Sequence, residues 1–173
     1  RTDNGIIQKT EQKSLPLLDS PSPYLDGLFD ALMAKKEDTV HFDAIIETNR
    51  GCPYHCAYCC WVAPKVRLLP AEKIFREIAW LSENKIEYCF CADANFGMYE
   101  RDESFVDAVV AAKTKNGFPE KFEVACIEGN QDFVFRINKK LNDAGLSKGA
   151  TIPFQSFSET ALSNVGRKRH ADK

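Results

Sequence analysis

Seven cysteines constrain this chain more than any other feature, because four of them crowd into residues 52–60. The stretch reads Thr48-Asn-Arg-Gly-Cys52-Pro-Tyr-His-Cys56-Ala-Tyr-Cys59-Cys60-Trp61. Thiols this close in sequence make poor structural disulfides, and a secreted disulfide framework pairs an even number. Clustered thiols in a chain with no apolar signal region at its start read better as metal ligands in a reducing compartment. A cytoplasmic location is therefore expected. Cys52, Cys56 and Cys59 are spaced Cys-x3-Cys-x2-Cys. Thiolates are soft donors that suit zinc or iron–sulfur centres. Three of them leave one coordination position for something else. On a four-iron cluster that position is an open iron, a place for chemistry. On zinc a fourth ligand is needed, and Cys60 or His55 could supply it.

Composition narrows the partners. Of 173 residues, 23 are Lys or Arg and 25 are Asp or Glu, a formal charge of −2. No basic excess points to nucleic acid, and no apolar run approaches the ~18–20 residues of a membrane span. An apolar fraction of 44% is enough for a core. Residues 1–36 read as a linker and N-terminal extension, polar and proline-bearing as far as Pro23, with a short packing helix or turn over 24–36. Residues 37–173 read as one core domain.

Within that domain the pattern alternates. Strands are predicted at 42–47, 86–93, 121–127 and 150–154. The helix over 70–84 places Ile74, Phe75, Ile78 and Leu81 on one face. A second helix runs from Asp102 to Lys115 and is stopped by Asn116-Gly117. A third spans 132–144 with Gly145 as its stop. A last helix opens near Ser156–Glu159, a Ser-x-x-Glu capping box. Strand–helix repeats imply a parallel sheet, so the expected fold is α/β: about four parallel strands forming a partial, TIM-like barrel that stops short of a complete one. Sites in such folds lie at the C-terminal strand ends. Glu47-Thr-Asn-Arg-Gly-Cys52, Asp93-Ala-Asn95 and Gln155-Ser156 fall there.

The Cys-x3-Cys-x-aromatic-Cys motif, with Tyr58 as the aromatic, follows the first strand of such a repeat. In this it resembles the radical S-adenosylmethionine superfamily over about residues 41–169. The resemblance implies a 4Fe–4S cluster on Cys52, Cys56 and Cys59, with S-adenosylmethionine chelating the fourth iron. It implies reductive cleavage to a 5′-deoxyadenosyl radical that abstracts hydrogen from a substrate, and an external one-electron reductant of flavodoxin or ferredoxin type. Pro21-Ser-Pro-Tyr24 with Gly27, Glu47 to Pro53, Ala92 to Gly97, and Gln155-Ser156 with Gly166-Arg167 are similar to the cobalamin-dependent branch. Many of its members are methyltransferases. No Asp-x-His-x-x-Gly run of a cobalamin-binding domain occurs in this chain, so cobalamin would belong to a longer parent. Other readings are a methylthio-transferring or rearranging radical enzyme, or a non-catalytic zinc or iron–sulfur module.

The resemblance also implies cofactor contacts. Tyr58 would pack beside the cluster toward the adenine, or simply fill core. Asp93 and Asn95 would meet the methionine ammonium, or form a turn. Gln155 and Ser156 would touch the ribose or methionine carboxylate, or Ser156 would cap a helix. No catalytic residue beyond the cluster ligands is expected. Cys60, Cys89, Cys91 and Cys126 read as small buried hydrophobes. Arg50, Lys65 and Arg67 read as a solvated face, although cations beside the loop could meet an anion.

Overall fold

The computed structural model describes residues 2–3, 6–7, 20–37, 39–54, 56–59, 65–126, 130–150 and 156–166. Within the expected N-terminal extension, β1 (Thr2–Asp3) pairs antiparallel with β2 (Ile6–Ile7). Residues 20–36 then fold onto the domain through turns and the short α1 (Asp30–Met33). The Tyr24 hydroxyl donates to the Ile45 carbonyl at 2.7 Å, and the Ser22 hydroxyl donates to the Glu77 carboxylate at 2.7 Å. Tyr24, Phe29 and Trp80 stack into a tilted aromatic cluster that closes this contact.

The centre is a parallel sheet of β3 (Asp43–Ile46), β6 (Tyr88–Phe96) and β7 (Lys121–Cys126), in the order β3-β6-β7. Between β3 and β6 a small antiparallel pair intervenes, β4 (Asn49–Arg50) with β5 (Arg67–Leu68). Sequence periodicity did not announce it, since each strand is two residues long. Helix α2 (Ala71–Glu83) follows β5, α3 (Arg101–Asn116) links β6 to β7, and α4 (Gln131–Asp143) follows β7. The parallel strand–helix alternation is thus present. Residues 151–154, where the fourth strand was expected, lie outside the described residues.

The helices share one layer, α2 packing on α3 and α3 on α4. They cover one face of the sheet. Ala44 and Ile46, Cys89 and Cys91, and Phe122 pack against Ile74, Ile78, Leu81, Phe105, Val106, Val109, Ile137 and Leu141. Each such Phe, Leu or Ile, fully buried, stabilises by about 1.5–3 kcal/mol relative to exposure. On the opposite face the alternating side chains are exposed or half-buried. Ile45 is 60% exposed, and the Tyr88 hydroxyl reaches across to Glu123 at 2.7 Å.

Helix ends follow local chemistry. α3 stops at Gly117, whose φ of 82° is a left-handed conformation. α4 closes in a Schellman motif: the Leu146 amide donates to the Leu141 carbonyl at 2.9 Å and the Gly145 amide to Asn142 at 2.9 Å. α2 ends the same way around Lys85, which adopts φ 51° without being glycine. One expectation is corrected. The last helix, α5 (Glu159–Asn164), is capped by Ser158, whose hydroxyl accepts the Ala161 amide at 3.3 Å. Ser156 is two residues too early for the helix start. Its hydroxyl instead accepts the Ser158 amide at 3.1 Å, a turn contact.

Candidate metal and cofactor site

β4 and β5 form the neck of a loop that carries the three cysteines. Asn49 pairs with Leu68 and Arg50 with Arg67. Gly51 follows with φ 111°, a conformation that favours glycine and turns the chain into Cys52. Cys52 is half-buried, Cys56 buried and Cys59 exposed, and none is disulfide-bonded. The Cys59 amide donates to the Cys56 carbonyl at 3.0 Å, closing the Cys-x2-Cys turn. The Ala57 amide donates to Val165 at 3.0 Å, docking the loop on the end of α5. This brings the cysteine loop beside residues 156–166, where the sequence placed further contacts.

A four-iron cluster and S-adenosylmethionine are the groups to test against these residues. Three soft thiols within residues 52–59, outside any disulfide, match a cluster in chemical kind. Among the described residues no three His, Cys, Asp or Glu side chains are gathered to hold an ion. His55, Cys60 and Gln155 lie outside the described residues. Tyr58 is 58% exposed.

Asp93 is 2% exposed and lies inside β6, which runs on to Phe96 past the expected strand end at residue 93, so neither Asp93 nor Asn95 forms a turn. Its Oδ1 accepts the Thr48 amide at 2.7 Å and the Asn49 amide at 3.2 Å. Its Oδ2 accepts the Thr48 hydroxyl and the Asn49 side-chain amide, the latter at 2.8 Å. Four donors match the roughly four lone-pair sites of a carboxylate, so its hydrogen-bonding capacity is committed to the neck of the loop. Burial raises its carboxyl above the ordinary value, against the lowering pull of the Thr48 and Asn49 bonds. Asn95 differs. It is 5% exposed, and its Nδ2 is a buried donor without a hydrogen-bond partner. β6 slips register against β7 between Cys91 and Phe96, an irregularity of the kind common beside functional sites. An orphaned buried donor at a strand end fits an acceptor on a ligand, such as a carboxylate or hydroxyl oxygen. A ligand ammonium would instead need the amide oxygen.

Sequence reasoning missed Thr48 and Arg101. Thr48 is 1% exposed, and its amide and hydroxyl both donate to Asp93. Arg101 sits in the first turn of α3, where a cation opposes the helix dipole. That mismatch, beside Asp102 and Glu103, was the available signal. Its guanidinium donates to the Leu69 carbonyl at 2.9 Å and the Thr48 carbonyl at 2.8 Å. The other thiols are core. Burial pushes Cys89 up to about 12 and raises Cys91 well above the ordinary thiol range. The Cys126 sulfur accepts Asn138 Nδ2 at 3.2 Å. Arg50 pairs with Glu47 at 2.7 Å across a half-exposed surface.

No family model matches the chain. Among curated proteins it is 38% identical over 155 residues to the 2-(S-pantetheinyl)-carbapenam-3-carboxylate methyltransferase of Streptantibioticus cattleyicolor, covering 87% of this chain and 23% of that protein. It is 38% identical over 173 residues to the cobalamin-dependent radical SAM methyltransferase TokK of Streptomyces tokunonensis, covering 97% of this chain and 25% of TokK. Its fold is similar to part of the radical S-adenosylmethionine methyltransferase TsrM of Kitasatospora setae, solved with cobalamin and a [4Fe-4S] cluster. That match has TM-score 0.58 and 16% identity, over 75% of this chain and 24% of TsrM. It is also similar to the cobalamin-dependent S-adenosylmethionine radical enzyme OxsB, with TM-score 0.57 and 19% identity, over 96% of this chain and 25% of OxsB. The chain is a homologue of the cobalamin-dependent radical S-adenosylmethionine methyltransferases over nearly its whole length. It spans about a quarter of the length of the curated relatives it matches.

Proposed function

We propose that this chain is the cofactor-binding part of a radical S-adenosylmethionine enzyme, with Cys52, Cys56 and Cys59 as the ligands of a 4Fe–4S cluster. The observation that carries the reading is the cysteine loop held at the C-terminal end of a parallel sheet, in a chain 38% identical to TokK over 97% of its length. A bound cluster with S-adenosylmethionine would supply one-electron reductive cleavage of the sulfonium.

The chain's own residues bind and orient. Three cysteine thiolates would hold iron, and the Cys56–Cys59 turn sets the spacing of two of them. The Asn95 amide donates to an acceptor oxygen of S-adenosylmethionine. Tyr58, Gln155 and Ser156 are proposed as further contacts to the cofactor. β3, β6 and β7, neighbours in chain order with their helices on one face, belong to a partial TIM-like barrel whose uncovered face looks inward. Both curated relatives are named methyltransferases, so the proposed reaction of the whole protein is cobalamin-dependent methyl transfer, with electrons from a flavodoxin- or ferredoxin-type donor. A cytoplasmic location agrees with the reduced thiols this requires. No described helix is long and apolar enough to cross a membrane.

The experiment is anaerobic reconstitution of the chain and of Cys56→Ala with iron and sulfide. The unvaried chain takes up about four irons and a brown chromophore, and Cys56→Ala does not. Equal iron, sulfide and absorption in both would overturn the ligand assignment.

A further inference from the structure

We propose that Asp93 and Arg101, acting through Thr48, are positioning residues that set the neck of the cysteine loop. The inference rests on the cluster reading of Cys52, Cys56 and Cys59 and deepens it. Thr48 leaves β3 four residues before Cys52, and every polar group it owns is engaged. Its amide donates to Asp93 Oδ1 at 2.7 Å and its hydroxyl to Asp93 Oδ2. Its carbonyl accepts the Arg101 guanidinium at 2.8 Å and the Leu69 amide at 2.9 Å. Leu69 stands one residue past β5, where the loop exits. The same guanidinium holds the Leu69 carbonyl at 2.9 Å. Entry and exit of the loop are thus tied to each other at one threonine, and that threonine is tied to β6 by a carboxylate and to α3 by a guanidinium.

The geometry demands these residue types. A planar guanidinium can bond two carbonyls at once in a fixed spread, which a lysine ammonium matches poorly. A carboxylate with four acceptor sites takes both donors of Thr48 and both of Asn49. Buried bonds to a charged group are stronger than neutral ones and costly to leave half-made. The clamp reaches the next two residues through Asn49, whose amide and side chain both donate to Asp93, and through the Arg50–Arg67 pairing. Beyond them come Gly51 and Cys52. The residues touch no reacting atom. They fix where the first ligand begins, as outer-layer hydrogen bonds fix ligands at other metal sites.

The test uses the full chain with Thr48→Val, Thr48→Ser and Arg101→Lys, each reconstituted anaerobically. Circular dichroism first confirms the fold. Release of iron to a chelator is then timed, and the electron paramagnetic resonance signal of the reduced cluster is recorded with and without S-adenosylmethionine. Thr48→Val, which keeps the shape and loses the hydroxyl, loses iron about tenfold faster, the lower end of the effect of outer-layer partners at metal sites. Its reduced signal also changes less on adding S-adenosylmethionine. Thr48→Ser restores both to within about twofold, which a packing role for the methyl group would not do. Should Thr48→Val fail to fold, Arg101→Lys carries the test and shifts in the same direction. A folded Thr48→Val or Arg101→Lys that holds iron within twofold of the unvaried chain would overturn the clamp, as would a Thr48→Ser no better than Thr48→Val. An unvaried chain that takes up no cluster would overturn the functional reading itself, and the clamp with it.

Discussion

Asp102 offers a sharp test of how burial and hydrogen bonding trade off beside the site. It is fully buried in the first turn of α3. A single oxygen, Oδ2, accepts the Gly97 amide at 2.9 Å and the Tyr99 amide at 3.1 Å, tying down the turn that leaves β6. The other oxygen, Oδ1, has no hydrogen-bond partner. Burial raises the carboxyl above its ordinary 3.8, and the Gly97 and Tyr99 bonds only partly oppose this. Asp102→Ala strips the acceptor from both amides. A buried donor left unsatisfied costs about 1–3 kcal/mol. Gly97 is buried and Tyr99 half-buried, so water repairs only the second, whose lost bond still costs a net ~0.5–1.5 kcal/mol, and the loss totals about 2–4 kcal/mol. Asp102→Asn keeps one oxygen for both amides and trades a buried partnerless carboxylate oxygen for a buried partnerless amide group, two unmet costs of similar size, so it changes stability by less than about 1 kcal/mol.

The assay is urea unfolding followed by far-ultraviolet circular dichroism. With a slope of about 2 kcal/mol per molar urea, Asp102→Ala moves the midpoint down by about 1–2 M and Asp102→Asn by less than about 0.5 M. The pH dependence adds a sign. A carboxyl raised on folding binds more protons folded than unfolded between its two values. Its contribution to stability therefore rises as pH falls into that window and is lost as pH rises through it, by at most about 1.4 kcal/mol per pH unit. Asp93 and Glu77 are also raised by burial and slope the same way. Asp102→Asn therefore shallows this slope without abolishing it. Equal losses in Asp102→Ala and Asp102→Asn would refute the reasoning, because they would make the charge itself the stabilising element.

Two further predictions follow from single residues. Lys85 holds a left-handed backbone where α2 ends; Lys85→Gly relieves about 1 kcal/mol of strain, part of which glycine's unfolded freedom returns, so the thermal midpoint rises by a few degrees, read by calorimetry. In the folded chain without iron, iodoacetamide modifies exposed Cys59 well before buried Cys89 and Cys91, and cluster loading protects Cys59. Peptide mass spectrometry checks both statements, and equal labelling of Cys59 and Cys89 would contradict them.

The parts of this molecule legible in the sequence are those that repeat. Ile74, Ile78 and Leu81 announce α2 by spacing, and Gly117 and Gly145 announce helix ends by their conformational freedom. The cysteine spacing announces a metal loop because few other reasons gather thiols so closely. The neck of that loop was not legible. Thr48 and Arg101 are 53 positions apart, and neither residue type is unusual where it stands except for the dipole mismatch of Arg101. Asp93 illustrates the limit most clearly. Its expected place at a strand end draws it toward a ligand role, yet folding sets it inside β6 and brings four protein donors to it that no local pattern records. Ser156 likewise matched a capping box by spacing, while the backbone begins its helix two residues later.

The most direct test of the central claim is electron paramagnetic resonance of the anaerobically reconstituted, reduced chain with and without S-adenosylmethionine. The account predicts a four-iron signal whose shape changes when S-adenosylmethionine is added, because three cysteines leave one iron open to it. A cluster signal indifferent to S-adenosylmethionine, or tightly bound zinc in place of iron, would contradict it.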